Sequence, residues 1–239
     1  MEIIKQKYLF IALDMDSKQE VDRFLSYFTE EKIAVKVGME LFYRLGPSLI
    51  SELKAQGHTI FLDLKLHDIP TTVERAMKQL ARLEVDMVNV HAMGGLAMMR
   101  AAKRGLERGT PPGKSVANII AVTQLTSTTD NILKHEMAVD LPLDKHVLHL
   151  CHQAQLAELD GVVCSALEVP LIKEHCGPSF ETVTPGIRLK SDAANDQARV
   201  VTPNKARELG SDAIVVGRGI TQAKDPLKAY HNYLKEWSI

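Results

Sequence analysis

Short apolar runs alternate with amphipathic stretches along this 239-residue chain. Most of the runs are apolar at successive positions, which is typical of strands buried on both faces of a parallel sheet. The runs occupy residues 8–13, 34–37, 59–64, 87–90, 118–122, 161–164, 181–184 and 213–216. Between them, apolar residues recur three and four positions apart, which predicts helices with one buried face. Eight strands that alternate with helices predict a (β/α)8 barrel, the TIM-barrel fold.

An open, doubly wound sheet is the alternative fold, because several runs are short and the strand count could be wrong by one or two. No Gly-x-Gly-x-x-Gly follows the first run, which argues against a dinucleotide-binding fold. No linker or low-complexity tract divides the chain, and its length suits a barrel of this type. We therefore expect residues 1–239 to form a single barrel domain.

Caps, prolines and glycines indicate where the helices begin and end. Ser17, with Glu20 three residues later, predicts a capping box at the start of the first helix. Residues 41–53 predict one continuous helix, which ends at Gly57. Further helices are predicted from Pro70 to about residue 83, near 98–106, across 130–159 with a break near Pro142, and at 227–237.

Composition and charge narrow the class of protein. Hydrophobic residues make up 45% and charged residues 25% of the chain, and the net charge is -1, so there is no basic field for nucleic acid. No apolar run reaches the length of a membrane span, and the first run is too short for a signal peptide. Cys151, Cys164 and Cys176 lack metal-ligand spacing and predict reduced thiols. We expect a cytoplasmic protein with neither a nucleic-acid nor a membrane partner.

A group of charges lies at and just beyond the end of the third strand, namely Asp63, Lys65 and Asp68. Residues two apart on a strand point to the same face, so Asp63 and Lys65 share one face. Asp68 follows the strand end, where Pro70 opens the next helix. A surface ion pair is the commoner role of such charges. A catalytic array is the alternative, and a barrel favours it because active sites lie at the carboxyl ends of its strands.

Other polar residues follow the remaining strands and are expected at the same mouth of the barrel. They are Asp14, Lys36, Thr126, Ser165, Arg188 and Arg218. Two histidines near the strand ends receive different interpretations. His91 is interpreted as a hydrogen-bonded structural residue, and His67 is out of phase with Asp63 and is expected to point away from the mouth.

The loops after the seventh and eighth strands carry the sequences Pro185-Gly186-Ile187-Arg188 and Gly217-Arg218-Gly219. Glycine lets backbone N–H groups approach an anion and arginine supplies a charged fork, so the two loops together favour phosphate binding. Either Gly-Arg pair alone is compatible with an ordinary turn. The polar segment 189–200 is either a lid over the ligand or a solvated loop.

The segment Asp63-Leu64-Lys65-Leu66-His67-Asp68-Ile69-Pro70 closely resembles the Asp-x-Lys-x-x-Asp signature of the orotidine 5′-monophosphate decarboxylase family. Five other segments are similar to the bacterial form in order and spacing. They are Ala12-Leu13-Asp14, Lys36-Val37-Gly38, Thr123-Gln124-Leu125-Thr126-Ser127, Thr184-Pro185-Gly186-Ile187-Arg188 and Val216-Gly217-Arg218. The resemblance covers nearly the whole chain. It implies a barrel enzyme that converts orotidine 5′-monophosphate to uridine 5′-monophosphate and CO₂ in pyrimidine biosynthesis, without a metal or an organic cofactor.

The resemblance also implies catalytic roles. Lys65 would protonate C6 of the pyrimidine as CO₂ departs, and Asp63 would hold Lys65 and crowd the substrate carboxylate. Asp68 and Thr72 would act in the site of a partner subunit, which makes a homodimer the functional unit. Thr71 departs from the family, which often has Asn there, but it lies outside the charged array.

Substrate binding is implied for a further set of residues. Asp14 and Lys36 would bind the ribose hydroxyls, with Lys36 also part of the charged array, and Thr126 would contact the pyrimidine edge. The implied phosphate site comprises Arg188, Gln197, Gly217 and Arg218.

Two alternatives remain beside this resemblance. Metal-dependent decarboxylases or aldolases of keto-sugar phosphates share the Asp-x-Lys-x-x-Asp pattern, but typically continue with Ala-Gly where this chain has Ile69-Pro70. The other alternative is a non-catalytic barrel that binds a phosphate ligand. Phosphate binding alone gives no reason for Lys65 to stand between two carboxylates.

Overall fold

Eight parallel strands close into a barrel in chain order in the computed structural model, which describes residues 7–190 and 200–238. The strands are β1 Tyr8–Ala12, β2 Ala34–Gly38, β3 Thr59–Leu66, β4 Met87–His91, β5 Asn118–Val122, β6 Gly161–Val163, β7 Glu181–Thr184 and β8 Ala213–Val216. β1 pairs with β8 in parallel register, which closes the sheet. The predicted (β/α)8 barrel is therefore confirmed and the open sheet is excluded.

Helices follow the strands around the outside of the barrel. They are α1 Lys18–Leu25, α2 Met39–Leu45, α3 Pro47–Ala55, α4 Pro70–Leu80, α5 Gly95–Gly109, α6 Asp130–His135, α7 Leu143–Leu156, α8 Val169–Cys176, α9 Pro203–Glu208, α10 Arg218–Thr221 and α11 Pro226–Ser238. Ser17 caps α1 by accepting the Glu20 backbone N–H at 3.3 Å. Within the described residues, no helix combines the length and the hydropathy that crossing a membrane requires.

The helix boundaries differ from the sequence pattern in two places. The single helix predicted over 41–53 is two helices, because Gly46 has φ 68° and Pro47 starts α3. Three short helices, α8, α9 and α10, lie where the pattern predicts none. Each is eight residues or fewer, which is too short to show a clear helical period.

The three cysteines are buried as free thiols. Apolar side chains fill the barrel interior beneath the carboxyl ends of the strands. The interior residues are Phe10, Ala12, Ala34, Phe61, Met87, Ile120, Val183, Ala213 and Val215. The Phe10 and Phe61 rings meet edge to face with centroids 5.6 Å apart. This packed layer forms the floor above which the polar strand ends gather.

Three aspartates at the opposite, amino end of the barrel connect neighbouring strands, and we call them the amino-end aspartates. Each directly precedes an even-numbered strand and accepts the backbone N–H of the second residue of the strand before it. The pairs are Asp86 with Ile60, Asp160 with Ile119 and Asp212 with Thr182, all at 2.7 Å. A bond to a charged acceptor satisfies a backbone donor and fixes the pairing of the two strands.

Helices α4 and α5 pack with almost no space between their backbones. A Cβ atom added at Gly105 of α5 would lie 2.2 Å from the Glu74 carbonyl oxygen of α4. One added at Gly109 would lie 2.3 Å from the Lys78 carbonyl oxygen. Glycine at these two positions lets the backbone of α5 touch that of α4 directly.

Replacing Gly105 with alanine destabilises the protein. Helix propensity alone favours alanine by about 1 kcal/mol, but the methyl group collides with backbone that cannot rotate away. We expect the free energy of unfolding to fall by about 2 kcal/mol and Tm by roughly 4–8 °C, measured by thermal denaturation. Glu107→Ala, at an exposed site on the same helix, is the control and leaves Tm unchanged. A Tm for Gly105→Ala at or above that of the wild type contradicts the packing argument.

Candidate active site

A cavity of about 420 Å³ opens at the carboxyl ends of the strands. Most of the predicted site residues line it: Asp14, Lys36, Asp63, Lys65, Thr126, Arg188, Gly217 and Arg218. Its volume falls within the range of small-molecule sites. The strand-end residues therefore meet in one cavity, as the barrel topology predicts.

Ammonium and carboxylate groups alternate along one side of this cavity. Lys65 Nζ lies 2.6 Å from Asp63 Oδ1, and Lys36 Nζ lies 3.3 Å from Asp63 Oδ2. Lys36 Nζ also lies 3.5 Å from Asp14 Oδ1. Asp63 is buried and Lys36 is mostly buried, so each charge has opposite charges as neighbours where water is scarce. These groups form a charged array within the cavity, so they are not an ordinary surface ion pair.

The backbone of β3 departs from a regular strand where it places Lys65. Lys65 has φ 50°, in the left-handed region, and the register between β3 and β4 shifts between Leu62 and Leu66. Asp63 and Lys65 do meet as predicted, but through this irregularity and not through simple alternation of faces. Left-handed backbone at a non-glycine residue costs about 1–3 kcal/mol and is concentrated at functional sites.

Asn89 on β4 joins the array, although its place in the sequence pattern predicts no role for it. Its side chain is 1% exposed, and its Nδ2 donates to Asp63 Oδ1 at 2.7 Å. Its Oδ1 accepts the backbone N–H of Lys65 at 2.8 Å. The available signal was a single amide side chain within an otherwise apolar strand, since a buried polar group requires partners.

Opposing effects act on the pKa of the Asp63 carboxyl. Burial raises it, but the ammonium groups of Lys36 and Lys65 and the hydrogen bonds from Lys65 and Asn89 outweigh burial. The pKa of Asp63 is consequently held below its usual range. Because it is lower than in the unfolded chain, the ionised carboxylate adds stability above about pH 4. That stability is lost as pH falls through the pKa of the folded state.

Replacing Lys36 with methionine raises the pKa of Asp63, because burial then acts against one ammonium fewer. The gap between the folded and unfolded pKa of this carboxyl shrinks, so its contribution to stability also shrinks and is lost at a higher pH. A ¹³C NMR titration of the Asp63 carboxyl measures the shift. Lys54→Met is the matched control, since Lys54 pairs at 2.9 Å with Asp86 at the other end of the barrel. An Asp63 pKa unchanged by Lys36→Met would show that Lys36 does not hold the carboxylate.

The glycine-arginine loops lie at the ends of β7 and β8 and line the cavity. Two backbone hydrogen bonds hold the loop after β7. Val201 N–H donates to the Gly186 carbonyl at 3.2 Å, and Arg188 N–H donates to the Val201 carbonyl at 3.0 Å. In the loop after β8, a Cβ atom added at Gly217 would lie 3.5 Å from Asp14 Oδ2. The two loops thus carry arginines and glycine backbone into the cavity that also contains the charged array.

Several predicted residues lie elsewhere. Of the described residues that line the cavity, none is Asp68 or Thr72. Both are exposed, and Asp68 Oδ1 accepts the backbone N–H of Ile69 at 2.6 Å. Gln197 lies outside the described residues, as do all of positions 191–199 in the segment that could form a lid.

The predicted place of Ser165 at the mouth is wrong. Ser165 is buried and caps a short 3₁₀ helix, where its backbone N–H donates to Glu168 Oε2 at 2.9 Å and its hydroxyl accepts from Leu167 N. It ends a strand, as expected, but helix capping takes its side chain away from the cavity. Two cavity residues that received no role from the sequence are Gln124 and Ser127, which belong to the quoted segment after β5.

The two histidines are located as interpreted. His91 Nδ1 accepts the Met93 backbone N–H at 3.3 Å, which makes it a capping residue. His67 does not line the cavity and stacks on His91 with ring centroids 5.5 Å apart. Burial, followed by the nearby charges of His67 and Lys65, lowers the pKa of His91. Among residues 7–190 and 200–238, no group of three or more His, Cys, Asp or Glu side chains is arranged to hold a metal ion.

Comparison with known proteins agrees over nearly the whole chain. Residues 7–233 match the model of the orotidine 5′-phosphate decarboxylase / HUMPS family. The orotidine 5′-phosphate decarboxylase of Bacillus cytotoxicus is 57% identical over 231 residues, which is 97% of each chain. That of Bacillus mycoides is 57% identical over 229 residues, 96% of each chain.

Solved structures show the same fold. The orotidine 5′-phosphate decarboxylase of Lactobacillus acidophilus superposes with a TM-score of 0.88 at 44% identity, covering 98% of this chain and 100% of that one. An uncharacterized conserved protein from Geobacillus kaustophilus gives a TM-score of 0.87 at 52% identity, covering 96% and 100%. Similarity at this level over whole chains places the protein among these relatives. The chain therefore belongs to the orotidine 5′-phosphate decarboxylase / HUMPS family.

Proposed function

We propose that the protein converts orotidine 5′-monophosphate to uridine 5′-monophosphate and CO₂, in the cytoplasm, as one step of pyrimidine biosynthesis. Residues 1–239 act as a single catalytic domain. The observation that carries the proposal is the charged array, with Lys65 Nζ 2.6 Å from Asp63 in a cavity that also contains two glycine-arginine loops. Membership of the family and the names of the relatives support it.

Lys65 is the proposed proton donor. When the bond between C6 and the carboxylate breaks, CO₂ leaves and its bonding electron pair stays on C6. An ammonium held beside C6 stabilises that charge and then transfers a proton to the carbon, after which water restores the proton of Lys65. Asp63 holds the ammonium in position and places a negative charge near the departing carboxylate. Lys36 extends the array toward Asp14.

Substrate binding is assigned to the rest of the cavity. Arg188, Arg218 and the backbone of Gly217 bind the phosphate, together with Gln197 from the part of the chain that is not described. Asp14 and Lys36 bind the ribose hydroxyls, and Thr126 contacts the pyrimidine edge. Binding energy from the remote phosphate positions the ring, so that C6 meets Lys65 in a reactive geometry.

A homodimer is the proposed functional unit. Asp68 and Thr72 are exposed and lie off the cavity of their own chain, which supports a role in the site of a second copy. Ile69, between them in sequence, is 65% exposed and offers an apolar contact for a partner. The assembled site would then contain Lys65 and Asp63 from one chain and Asp68 from the other.

The test is an assay with orotidine 5′-monophosphate in the presence of EDTA, which follows the loss of orotate absorbance. We expect turnover at the same rate with and without chelator. A metal-dependent enzyme of keto-sugar phosphates would leave this substrate unchanged and lose its own activity in EDTA. A non-catalytic barrel would bind uridine 5′-monophosphate without turning over the substrate. Absence of turnover by well-folded protein overturns the proposal.

A further inference from the structure

The Asn89 side chain makes one hydrogen bond to Asp63 and another to the backbone of Lys65. Its Nδ2 donates to Asp63 Oδ1 at 2.7 Å, and its Oδ1 accepts the backbone N–H of Lys65 at 2.8 Å. A carboxylate can only accept and a backbone N–H can only donate, so the orientation of the amide is determined by its partners. We infer that Asn89 is a positioning residue that holds Lys65 and Asp63 in their reactive geometry, an inference that rests on the proposed function.

The contact with Lys65 compensates for the irregular strand. The ladder between β3 and β4 is interrupted between Leu62 and Leu66, and Lys65 takes left-handed backbone there. The Lys65 N–H, which a regular ladder would direct to a carbonyl of the next strand, is accepted instead by the Asn89 side chain. A buried N–H without a partner is costly, so this bond stabilises the conformation that brings Lys65 into the cavity.

The contact with Asp63 fixes the carboxylate. Asp63 Oδ1 receives Lys65 Nζ at 2.6 Å and Asn89 Nδ2 at 2.7 Å, while Oδ2 faces Lys36 Nζ at 3.3 Å. With donors from three side chains, the carboxylate has one favoured rotation, and Lys65 Nζ is located relative to it. Without Asn89, the carboxylate can turn and the ammonium follows it. A displacement of about 1 Å at a reacting group costs on the order of 100-fold in rate.

Asn89 is not among the described residues that line the cavity, so it acts through its neighbours and not on the substrate. Its loss is therefore expected to lower kcat and to leave substrate binding nearly unchanged. General damage to the fold would disturb both.

Two variants test this inference in the orotidine 5′-monophosphate assay. Asn89→Leu keeps the branched shape of the side chain and removes both hydrogen bonds, and Asn89→Ala removes them by truncation. We expect kcat to fall about 100-fold in each, with KM within about threefold of wild type. Thr182→Val, which removes the 3.0 Å hydroxyl bond to Asp212 at the amino end of the barrel, is the control and keeps both constants.

A crystal structure of Asn89→Ala gives a readout that is independent of activity. We expect Lys65 Nζ to lie about 1 Å or more from its wild-type position. If either variant is too unstable to assay, the other decides. If the wild-type protein turns over the substrate and a folded Asn89 variant has a kcat within about threefold of the wild-type value, the inference is overturned and the proposed function stands. A wild-type protein without turnover overturns the function itself, and an unmoved Lys65 in the crystal structure then overturns the positioning role as well.

Discussion

Lys65→Ala lowers kcat for orotidine 5′-monophosphate by at least about 10⁴-fold. The substitution removes at once the ammonium that stabilises the developing charge on C6 and the proton that C6 receives. Proton transfer and electrostatic stabilisation contribute factors of about 10²–10⁴ and 10²–10³, and they multiply when one group provides both. Alanine also leaves Asp63 without its 2.6 Å partner, so the carboxylate loses one of the three side chains that hold it.

The measurement is kcat at saturating substrate, with binding of uridine 5′-monophosphate as a check of the cavity. Lys54→Ala is the matched control, because it also removes a lysine paired with an aspartate, at 2.9 Å from Asp86 and at the other end of the barrel. We expect the control to retain full kcat and the Lys65 variant to bind the product through its arginine loops. Residual kcat within about 100-fold of wild type would mean that another group donates the proton.

Mixing Lys65→Ala with Asp68→Ala restores about a quarter of the wild-type activity, although each variant alone is nearly inactive. With random exchange of subunits, half of the dimers are hybrids. In each hybrid, one site combines an intact Lys65 with an intact Asp68 from the other chain, and the second site lacks both. The expectation rests on the proposed homodimer, which the exposed position of Asp68 outside the cavity of its own chain supports.

Mixing Lys65→Ala with Asp63→Ala is the control for this experiment. Both residues belong to the same chain's array, 2.6 Å apart, so no hybrid contains an intact site and mixing adds nothing. Subunit exchange is verified with two affinity tags on the two variants. If exchange is complete and the Lys65 and Asp68 variants still show no restored activity, Asp68 does not act across an interface. If the protein is monomeric at assay concentration, the dimer proposal fails.

The periodicity of the chain was sufficient to predict the barrel, because strands buried on both faces leave short apolar runs between helices. β5, β7 and β8 begin and end at the predicted residues. Lys36 and Asp63 were also identifiable, since a charge inside an apolar strand requires a partner. The break at Gly46 was missed because the apolar period continues through it, although the Gly-Pro pair was a signal.

The fine geometry of the site was beyond the sequence. Nothing in the order of residues indicates that Lys65, a residue without special backbone freedom, takes a left-handed conformation. The partner of that conformation, Asn89, lies on the next strand, so the contact depends on register between strands. For Ser165, the sequence position was misleading. It follows a strand, which predicts a place at the mouth, but its hydroxyl caps a short helix by accepting from Leu167 N. The site roles and the homodimer remain predictions.

The amino-end aspartates divide the barrel into units for recombination. Each bond joins an odd-numbered strand to the next even-numbered one, so β3–β4, β5–β6 and β7–β8 each carry their own link, with none of the three crossing from β4 to β5. A chimaera joined between α5 and β5 would keep every one of these bonds inside one parental half. A junction between β3 and β4 would pair Asp86 of one parent with Ile60 of the other. The loop after α5 is therefore the favoured crossover point for exchanging halves of this barrel with those of its relatives.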